Sequence, residues 1–301
     1  MHALELSILL HRALEARVEV LTGLAATPGW QADPELLHQV RVGSRRVRSV
    51  LDLVRPEVYP GFKRQTRRLR RLTRALGLTR EMDVHAQYLG QLAAGIPGLA
   101  TGAALEHALE QLESRRARAR RRMARDLAGK PLKGLTGLLE VPSLPDPFVP
   151  GDLTADVWEA LEPLLEGAFS PIPGLLDHED VAGLHRLRIR IKRFRYTLEI
   201  LGAAFPEAPD EQFRQLRELQ TALGEHHDRA TLEAHLQELY EGLAARGRRI
   251  LASGLLELLA YVGEARLKAF ERFRAAAGAA PLEAVRASLL RHLGLPPEGK
   301  P

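Results

Sequence analysis

Apolar residues along this chain recur at helical spacing almost without interruption, and the breaks between periodic runs carry turn residues. A first helix is predicted over about residues 3–25, ending near Thr27-Pro28-Gly29. Asp33-Pro34-Glu35 then supplies an N-cap, a proline at the first helical position and an early acid, and the helix it starts stops near Arg55-Pro56. A third helix runs from about Pro60 to Leu76 and closes at Gly77, a residue suited to a C-cap. A fourth starts near Thr79 and fades at Gly95-Ile96-Pro97-Gly98, and a long fifth covers about Thr101 to Leu127. Residues 141–151 hold four prolines and read as a linker. Beyond it come helices over about 152–168, 178–203 and 209–223, the last ending at Gly224. Two longer helices reach about residue 276, and a short one lies near His292. No stretch alternates with period two, so the class expected is all-α.

The second half of this order repeats the first. His38-Gln39-Val40-Arg41-Val42-Gly43-Ser44-Arg45-Arg46-Val47-Arg48 returns as His185-Arg186-Leu187-Arg188-Ile189-Arg190-Ile191-Lys192-Arg193-Phe194-Arg195, displaced by 147 residues. Leu76-Gly77 meets Leu223-Gly224 at the same offset, as does Glu81 with Asp228. A register kept without insertion over this distance points to an internal duplication. The expected organisation is a first helical repeat over 1–140, the Pro-rich linker at 141–151 and a second repeat over 152–295. They would form two similar helical bundles related by a pseudo-two-fold.

On a helical wheel His38, Arg41, Arg45 and Arg48 share one face, within about 80° of one another, while Val40, Val47, Leu51 and Val54 share another. His185, Arg188, Lys192 and Arg195 take the cationic positions of the second copy, and Leu187, Phe194, Leu198 and Leu201 the apolar ones. The helices that follow carry Lys63, Arg67, Arg70 and Arg74 in the first half, and Arg214 and Arg217 in the second. A charge run is commonly a solvated face. Solvated faces usually mix acids with bases at i,i+4, however, and like charges at that spacing cost helix stability. These stripes are nearly all cationic and occur twice, which points to an anionic partner. The stretch Arg115-Arg116-Ala117-Arg118-Ala119-Arg120-Arg121-Arg122 is read more readily as a solvated face, and the pattern leaves open whether it joins the site.

Charge sharpens this picture. The chain carries 43 Lys and Arg against 38 Asp and Glu, with a pI near 9.7. The excess is confined to residues 1–147, at +9, while the remainder stands at −4 yet keeps its own basic helix. Arginine dominates the cations, which suits forked recognition of phosphate or carboxylate. Aromatics are 5% of residues, so the core is aliphatic. With no cysteine, disulfides, thiol catalysis and cysteine-ligated zinc are excluded. The N-terminal residues show no signal-peptide pattern and no apolar run reaches the length of a membrane span, so the location expected is cytoplasmic.

The duplicated histidines admit two roles. Each is placed to act as a donor to an anion, protonated once the anion is bound. Alternatively, His38 and His185 approach each other as metal ligands; against this, positions i+3 and i+4 hold Arg41, Val42, Arg188 and Ile189, none of them an acid or histidine. His226-His227-Asp228 is a weaker metal hint. No phosphate-binding loop, dinucleotide fingerprint, H-E-x-x-H or G-x-S-x-G occurs, so neither an enzyme nor a cofactor is expected. Glu81, Asp83 and Asp228 read as groups that orient neighbouring arginines.

The two histidine motifs, with Leu76-Gly77-x-x-Arg80-Glu81-x-Asp83-Val84 and Leu223-Gly224-x-x-x-Asp228, resemble the paired motifs of the CHAD family, the conserved-histidine α-helical domain. The resemblance covers nearly the whole chain. It implies two four-helix bundles with a basic groove or pore between them, binding of inorganic polyphosphate, and association with polyphosphate granules. Some members are fused to triphosphate-tunnel enzymes, a segment for which this sequence shows no counterpart. Carried over by position, His38, Arg41, Arg45, Arg48, His185, Arg188, Lys192 and Arg195 would line the anion site; the cationic faces of the following helices add Arg67, Arg70, Arg74, Arg214 and Arg217 to the expected set. One departure is that His226 and His227 stand where the first copy has Thr79 and Arg80.

The function expected is therefore non-enzymatic polyphosphate binding. Nucleic-acid binding is the rival, but it would call for aromatic stacking platforms, and these cationic faces offer only Tyr196. A histidine metal-chelating domain is the third reading.

Overall fold

A computed structural model of the chain describes residues 2–54, 61–93, 95, 98–127, 132, 135, 153–175 and 177–297. Among them there are nine α-helices and no strand: α1 His2–Ala26, α2 Pro34–Leu51, α3 Phe62–Leu92, α4 Leu99–Leu127, α5 Thr154–Phe169, α6 Val181–Leu201, α7 Asp210–Ala245, α8 Arg249–Ala279 and α9 Leu282–Leu293. Short 3-10 turns at Ile172–Gly174 and Gly202–Ala204 flank α6. The Pro-rich linker at 141–151 lies outside the described residues, as does Arg55-Pro56.

The cation-bearing helices start where their caps dictate. Asp33 accepts from the backbone N–H groups of Glu35 (2.7 Å) and Leu36 (3.0 Å), with Pro34 in the first turn of α2. Asp180 accepts from the N–H of Gly183 at 2.8 Å and opens α6. The first residues of the two helices, Pro34 and Val181, are 147 positions apart.

Two expected helix ends are absent. The helices predicted to close at Gly77 and Gly224 continue through both glycines, so the third and fourth predicted helices are the single 31-residue α3, and α7 runs for 36 residues. A glycine inside a helix costs only about 1 kcal/mol relative to alanine. A glycine that ends a helix does so in left-handed backbone, as Gly294 does after α9, and Gly77 and Gly224 are not in that conformation.

The apolar residues explain why both helices continue. The described core has two parts. One gathers Leu14 and Leu21 (α1), Leu37 and Val47 (α2), Leu69, Leu72 and Leu76 (α3), Leu161 (α5), Phe194 and Leu198 (α6), Leu219 and Leu223 (α7), and Leu289 (α9). The other gathers Met82 and Leu89 (α3), Ala104, Ala108 and Leu112 (α4), Leu232 and Leu236 (α7), and Leu255, Leu258 and Val262 (α8). Both α3 and α7 pass from one core to the other just after their Leu-Gly pair. Each core also draws on both halves of the sequence, where one bundle per half was expected. Consecutive helices pack together from α1 to α4 and from α5 to α8, while α9 packs back on α5; between halves the broadest contact is α4 on α8, with smaller ones of α1 on α5 and α6, α2 on α6, and α3 on α7. The α4–α8 seam closes on Gly254. A Cβ there would overlap the Ala100 carbonyl oxygen and stand 2.7 Å from its carbon and 2.8 Å from the Ala104 Cβ.

Between the two cores lies a layer of polar side chains. Thr79, Asp83, His85, His226 and Arg266 are all buried there. Arg116 pairs with Asp83 at 2.6 Å, and His85 Nε2 meets Thr231 Oγ1 at 3.1 Å. Arg115 reaches His235 and bonds Glu238 at 2.9 Å. Burial and the neighbouring His235 push His85 down to about 4, so its ring is neutral. No described helix is long and apolar enough to cross a membrane.

Candidate functional site

The cationic stripes meet in this polar layer. Arg41 and Arg45 on α2 and Arg188 and Lys192 on α6 come within mutual electrostatic reach, and Asp228 on α7 acts on Arg41, Arg188 and Lys192. Burial is the first cause of every shift in the cluster, because removing water penalises the charged form. Repulsion among the cations adds to it. Arg41 is pushed down to about 10 by burial, then by Arg45, Arg188 and Arg80. Lys192 is pushed down to about 6 by burial, then by Arg188, Arg45 and Arg41, against the pull of Asp228.

The carboxylates shift the other way. Asp228 is raised by burial despite Arg188, Arg229, Lys192 and Arg41, and Glu81 is raised by burial and by Asp228 itself. Among the described residues neither forms an ion pair within 4.0 Å, so the cluster has acids nearby but none that closes on its guanidinium groups. Instead Nε of Arg41, Arg45, Arg48 and Arg188, and Nδ1 of His38, His185 and His227, are shielded from water with no hydrogen-bond partner. Buried donors normally have partners, and such a group of orphans is able to donate to acceptor oxygens from outside the chain.

The two histidines sit in parallel surroundings. His38 is held below the usual histidine value by burial, then by Arg80, with Arg45 and Arg41 adding to it. His185 is lowered by burial, Arg188 and Lys192, and its ring lies 4.2 Å from that of His227 at 36°. Arg80 and His227 are themselves 147 residues apart. Each half thus sets the residue three places after its Leu-Gly pair against the histidine of its own stripe. Neither residue was among the expected site residues; the offset of 147 was the signal that could have found them. His227 is pushed down to about 4 by burial, Arg188, His185 and Lys192. Burial and the neighbouring cations thus shift all three histidines toward the neutral form. No three of the described His, Asp or Glu residues are grouped to hold a metal ion.

The remaining expected residues divide. Arg48 is lowered by burial and feels Arg70 and Arg45, which links the α3 stripe to the cluster. Arg67, Arg70 and Arg74 are exposed on α3. Arg195 is engaged within the protein: its Nε donates to Gln220 at 2.9 Å, Nη1 pairs with Glu199 at 3.6 Å, and the guanidinium lies 4.5 Å from the Tyr196 ring centre. Arg214 pairs with Glu211 and with Glu218 (2.7 Å), so this part of the second stripe is an acid–base ladder and not a run of cations. With Arg217 and Arg272 it lines a cavity of about 560 Å³ between α7 and α8. A second cavity, of about 410 Å³, opens between α1 and α2 beside His38, Arg17 and Arg46.

Comparison with known proteins identifies the fold and the family. An uncharacterised protein found in two strains of Mycobacterium tuberculosis is 28% identical over 257 residues, covering 82% of this chain and 48% of the relative. The chain thus spans about half the length of those relatives. The crystal structure of the CHAD domain from the plant Ricinus communis superposes with a TM-score of 0.65 at 26% identity, covering 92% of each chain. PptA from Streptomyces chartreusis shares the fold, with a TM-score of 0.62 at 18% identity, over 90% of this chain and 98% of that one. The CHAD domain itself matches residues 12–237, a span that includes both histidine stripes and both Leu-Gly pairs, and the chain belongs to the CHAD family.

Proposed function

We propose that this protein binds inorganic polyphosphate without chemically altering it, through the cluster of Arg41, Arg45, Arg188 and Lys192 with His38 and His185 at its margin. The observation that carries the reading is the set of shielded, partnerless nitrogens on Arg41, Arg45 and Arg188, contributed by two helices that begin 147 residues apart. The reading takes the halves as copies of one unit and the space between α2–α3 and α6–α7 as a basic cleft, extended by Arg48, Arg67, Arg70 and Arg74. A linear polyanion supplies closely spaced acceptor oxygens and needs no base-stacking surface, and Tyr196, the one aromatic of the stripes, is buried under Arg195. Binding of this kind would bring the protein to polyphosphate granules.

Salt dependence tests the reading. Where cations displace counterions from a polyanion, log affinity falls linearly with log salt, by a slope that counts the contacts. Replacing Arg41, Arg45, Arg188 and Lys192 by alanine should flatten the slope for polyphosphate by several units. An unchanged slope would remove the cluster from the site. Release of orthophosphate from polyphosphate in the presence of magnesium or manganese would overturn the non-enzymatic assignment. Tighter retention of single-stranded DNA than of polyphosphate in competition would transfer the site to nucleic acid.

A further inference from the structure

The helices α1 and α2 run antiparallel about the short connection at 27–33, and a groove of about 410 Å³ opens between them. A volume of this order is that of a small-molecule site. Its two ends differ in chemistry. Arg17 and Arg46 stand at one end, and Leu24, Gln39 and His38 at the other, with α2 advancing about 12 Å from His38 to Arg46. Val20 and Val42 form the walls between them, and Gly43 leaves the floor without a side chain. Val20 is 57% exposed and Val42 and Leu24 are half-buried, so the walls offer apolar surface that the chain leaves uncovered.

The charged end is undermatched. Nη2 of Arg46 lies 3.3 Å from Glu199, and Glu199 is shared with Arg195 at 3.6 Å. Arg17 has no ion pair among the described residues. Its Nη1 donates to the Ala13 carbonyl of its own helix at 3.1 Å, and Glu199 and Arg46 both act on its charge. Three guanidinium groups thus have one carboxylate among them, which leaves positive charge for a further acid.

The other half shows how such a space is closed. The residues 147 positions after Gly43 and Val20 are Arg190 on α6 and Gly167 on α5, and Nη1 of Arg190 donates to the Gly167 carbonyl at 3.4 Å. The offset is kept in the core, where Leu14 and Val18 answer to Leu161 and Leu165, all buried. An arginine therefore crosses between α5 and α6 where a glycine leaves the way open between α1 and α2. Arg17 answers to Leu164, so the charge at the end of the groove is also particular to the first helix pair.

We propose that the α1–α2 groove is a binding site for a small amphipathic carboxylic acid, its carboxylate held by Arg17 and Arg46 and its apolar chain laid along Val20, Val42 and Leu24. The site lies beside the cation cluster, with His38 at the margin of both, and does not depend on the polyphosphate reading. The mixed lining sets the class of ligand. An inorganic anion leaves the apolar walls unused, and an alcohol leaves Arg17 unused. A carboxylate accepts guanidinium donors in pairs, and each methylene on the walls should tighten binding about fourfold.

Straight-chain acids test the site. Calorimetric titration should show octanoate binding saturably at a single site, hexanoate about fifteenfold more weakly, and 1-octanol at least about tenfold more weakly than octanoate. With methyl-labelled Val and Leu, octanoate should shift the signals of Val20, Val42 and Leu24. Arg17→Met should lose about tenfold in octanoate affinity. Val20→Trp, which fills the groove from an exposed position, should abolish binding. Both variants should melt as the wild type does and keep its affinity for polyphosphate. Octanol binding as tightly as octanoate, undiminished binding by Val20→Trp, or no saturable binding of octanoate overturns the proposal. So do methyl shifts confined to another cavity, such as the apolar one lined by Phe169, Phe273 and Arg274. Each of these outcomes leaves the polyphosphate reading standing, and failure of polyphosphate to bind leaves the groove proposal standing.

Discussion

Arg266 on α8 offers the sharpest test of the layer between the cores. It is 8% exposed. Its guanidinium donates to the His178 carbonyl at 3.0 Å and to Glu179 at 2.7 Å, and Nε lies 2.8 Å from Glu233 in a close ion pair, not an aligned hydrogen bond. His226 on α7 also meets the His178 carbonyl, at 2.9 Å. Together they hold the turn that leads into α6, two residues before the Asp180 cap and seven before His185. Replacing Arg266 by methionine keeps much of the bulk and removes all three interactions. Breaking a buried ion pair from one side costs about 3–5 kcal/mol. Glu179 is mostly exposed and regains water, whereas Glu233 is left with its side chain 19% exposed, so the cost belongs at the lower end, about 3 kcal/mol. For a chain of this size that corresponds to a fall in Tm of roughly 6 °C.

Acid should then narrow the deficit. Burial already raises Glu233, and without Arg266 nothing comparable opposes it, so its folded-state value rises further above the unfolded one. The folded variant binds this proton more readily than the unfolded chain does, and lowering pH therefore favours the variant's fold relative to neutral pH. Circular-dichroism melts at pH 7.5 and 5 measure both effects. The double variant Arg266→Met/Glu233→Leu should recover part of the lost stability at pH 7.5 by removing the stranded carboxylate. A single-variant deficit under about 2 °C, or one that grows at pH 5, would refute the assignment of Arg266 as a buried clamp.

Two further outcomes are expected. Polyphosphate at a hundred times its Kd should stabilise the fold by about 2.7 kcal/mol, seen as a raised Tm, while the same phosphate supplied as orthophosphate should do much less; equal shifts would argue against a multi-contact cleft. Gly77→Ala should stabilise by about 0.4–1 kcal/mol, since the backbone there is helical and a Cβ meets nothing within 4 Å, whereas Gly254→Leu should destabilise by more than about 2 kcal/mol through collision with Ala100 and Ala104. Denaturant melts that ranked these two in the opposite order would contradict both the continuous α3 and the tight α4–α8 seam.

Local chemistry was readable from the sequence wherever a feature is decided within one or two turns. Asp33-Pro34-Glu35 marked the start of α2 because cap and proline act on adjacent backbone groups. The separation of Arg41 and Arg45 from Val40 and Val47 followed from the helical period alone. Gly77 and Gly224 misled because the apolar pattern also changes there, and a helix that passes from one core to another looks in sequence like one helix ending and another beginning. The partners of Arg195 and Arg214 divide by distance. Glu211 and Glu218 lie on the helix of Arg214, at i−3 and i+4, and were open to inspection; Gln220 comes to Arg195 from the next helix, and only packing brings it there. Arg80 and His227 lay within reach of the repeat argument, but an arginine and a histidine at equivalent positions do not look alike until both are seen against His38 and His185.

One layer therefore contains cations with two different fates, and the contrast bears on function more than the number of arginines does. On the side of α4 and α8, Arg115, Arg116 and Arg266 each close on a carboxylate of α3, α7 or the turn before α6: Glu238, Asp83, and Glu233 with Glu179. These pairs compensate the burial of charge; Arg115–Glu238 also joins the halves, while the others tie helices within one half. On the side of α2 and α6 the same layer holds Arg41, Arg45, Arg188 and Lys192, with Asp228 and Glu81 near but unpaired, both raised by burial. Had the cluster served only to join α2 to α6, one acid in place of Lys192 or Arg45 would have relieved the repulsion. The fold instead leaves these cations uncompensated, and the broadest contact between the halves is the packing of α4 on α8. Under the polyphosphate proposal, the ligand supplies the missing negative charge, and the cluster is the place where it would do so.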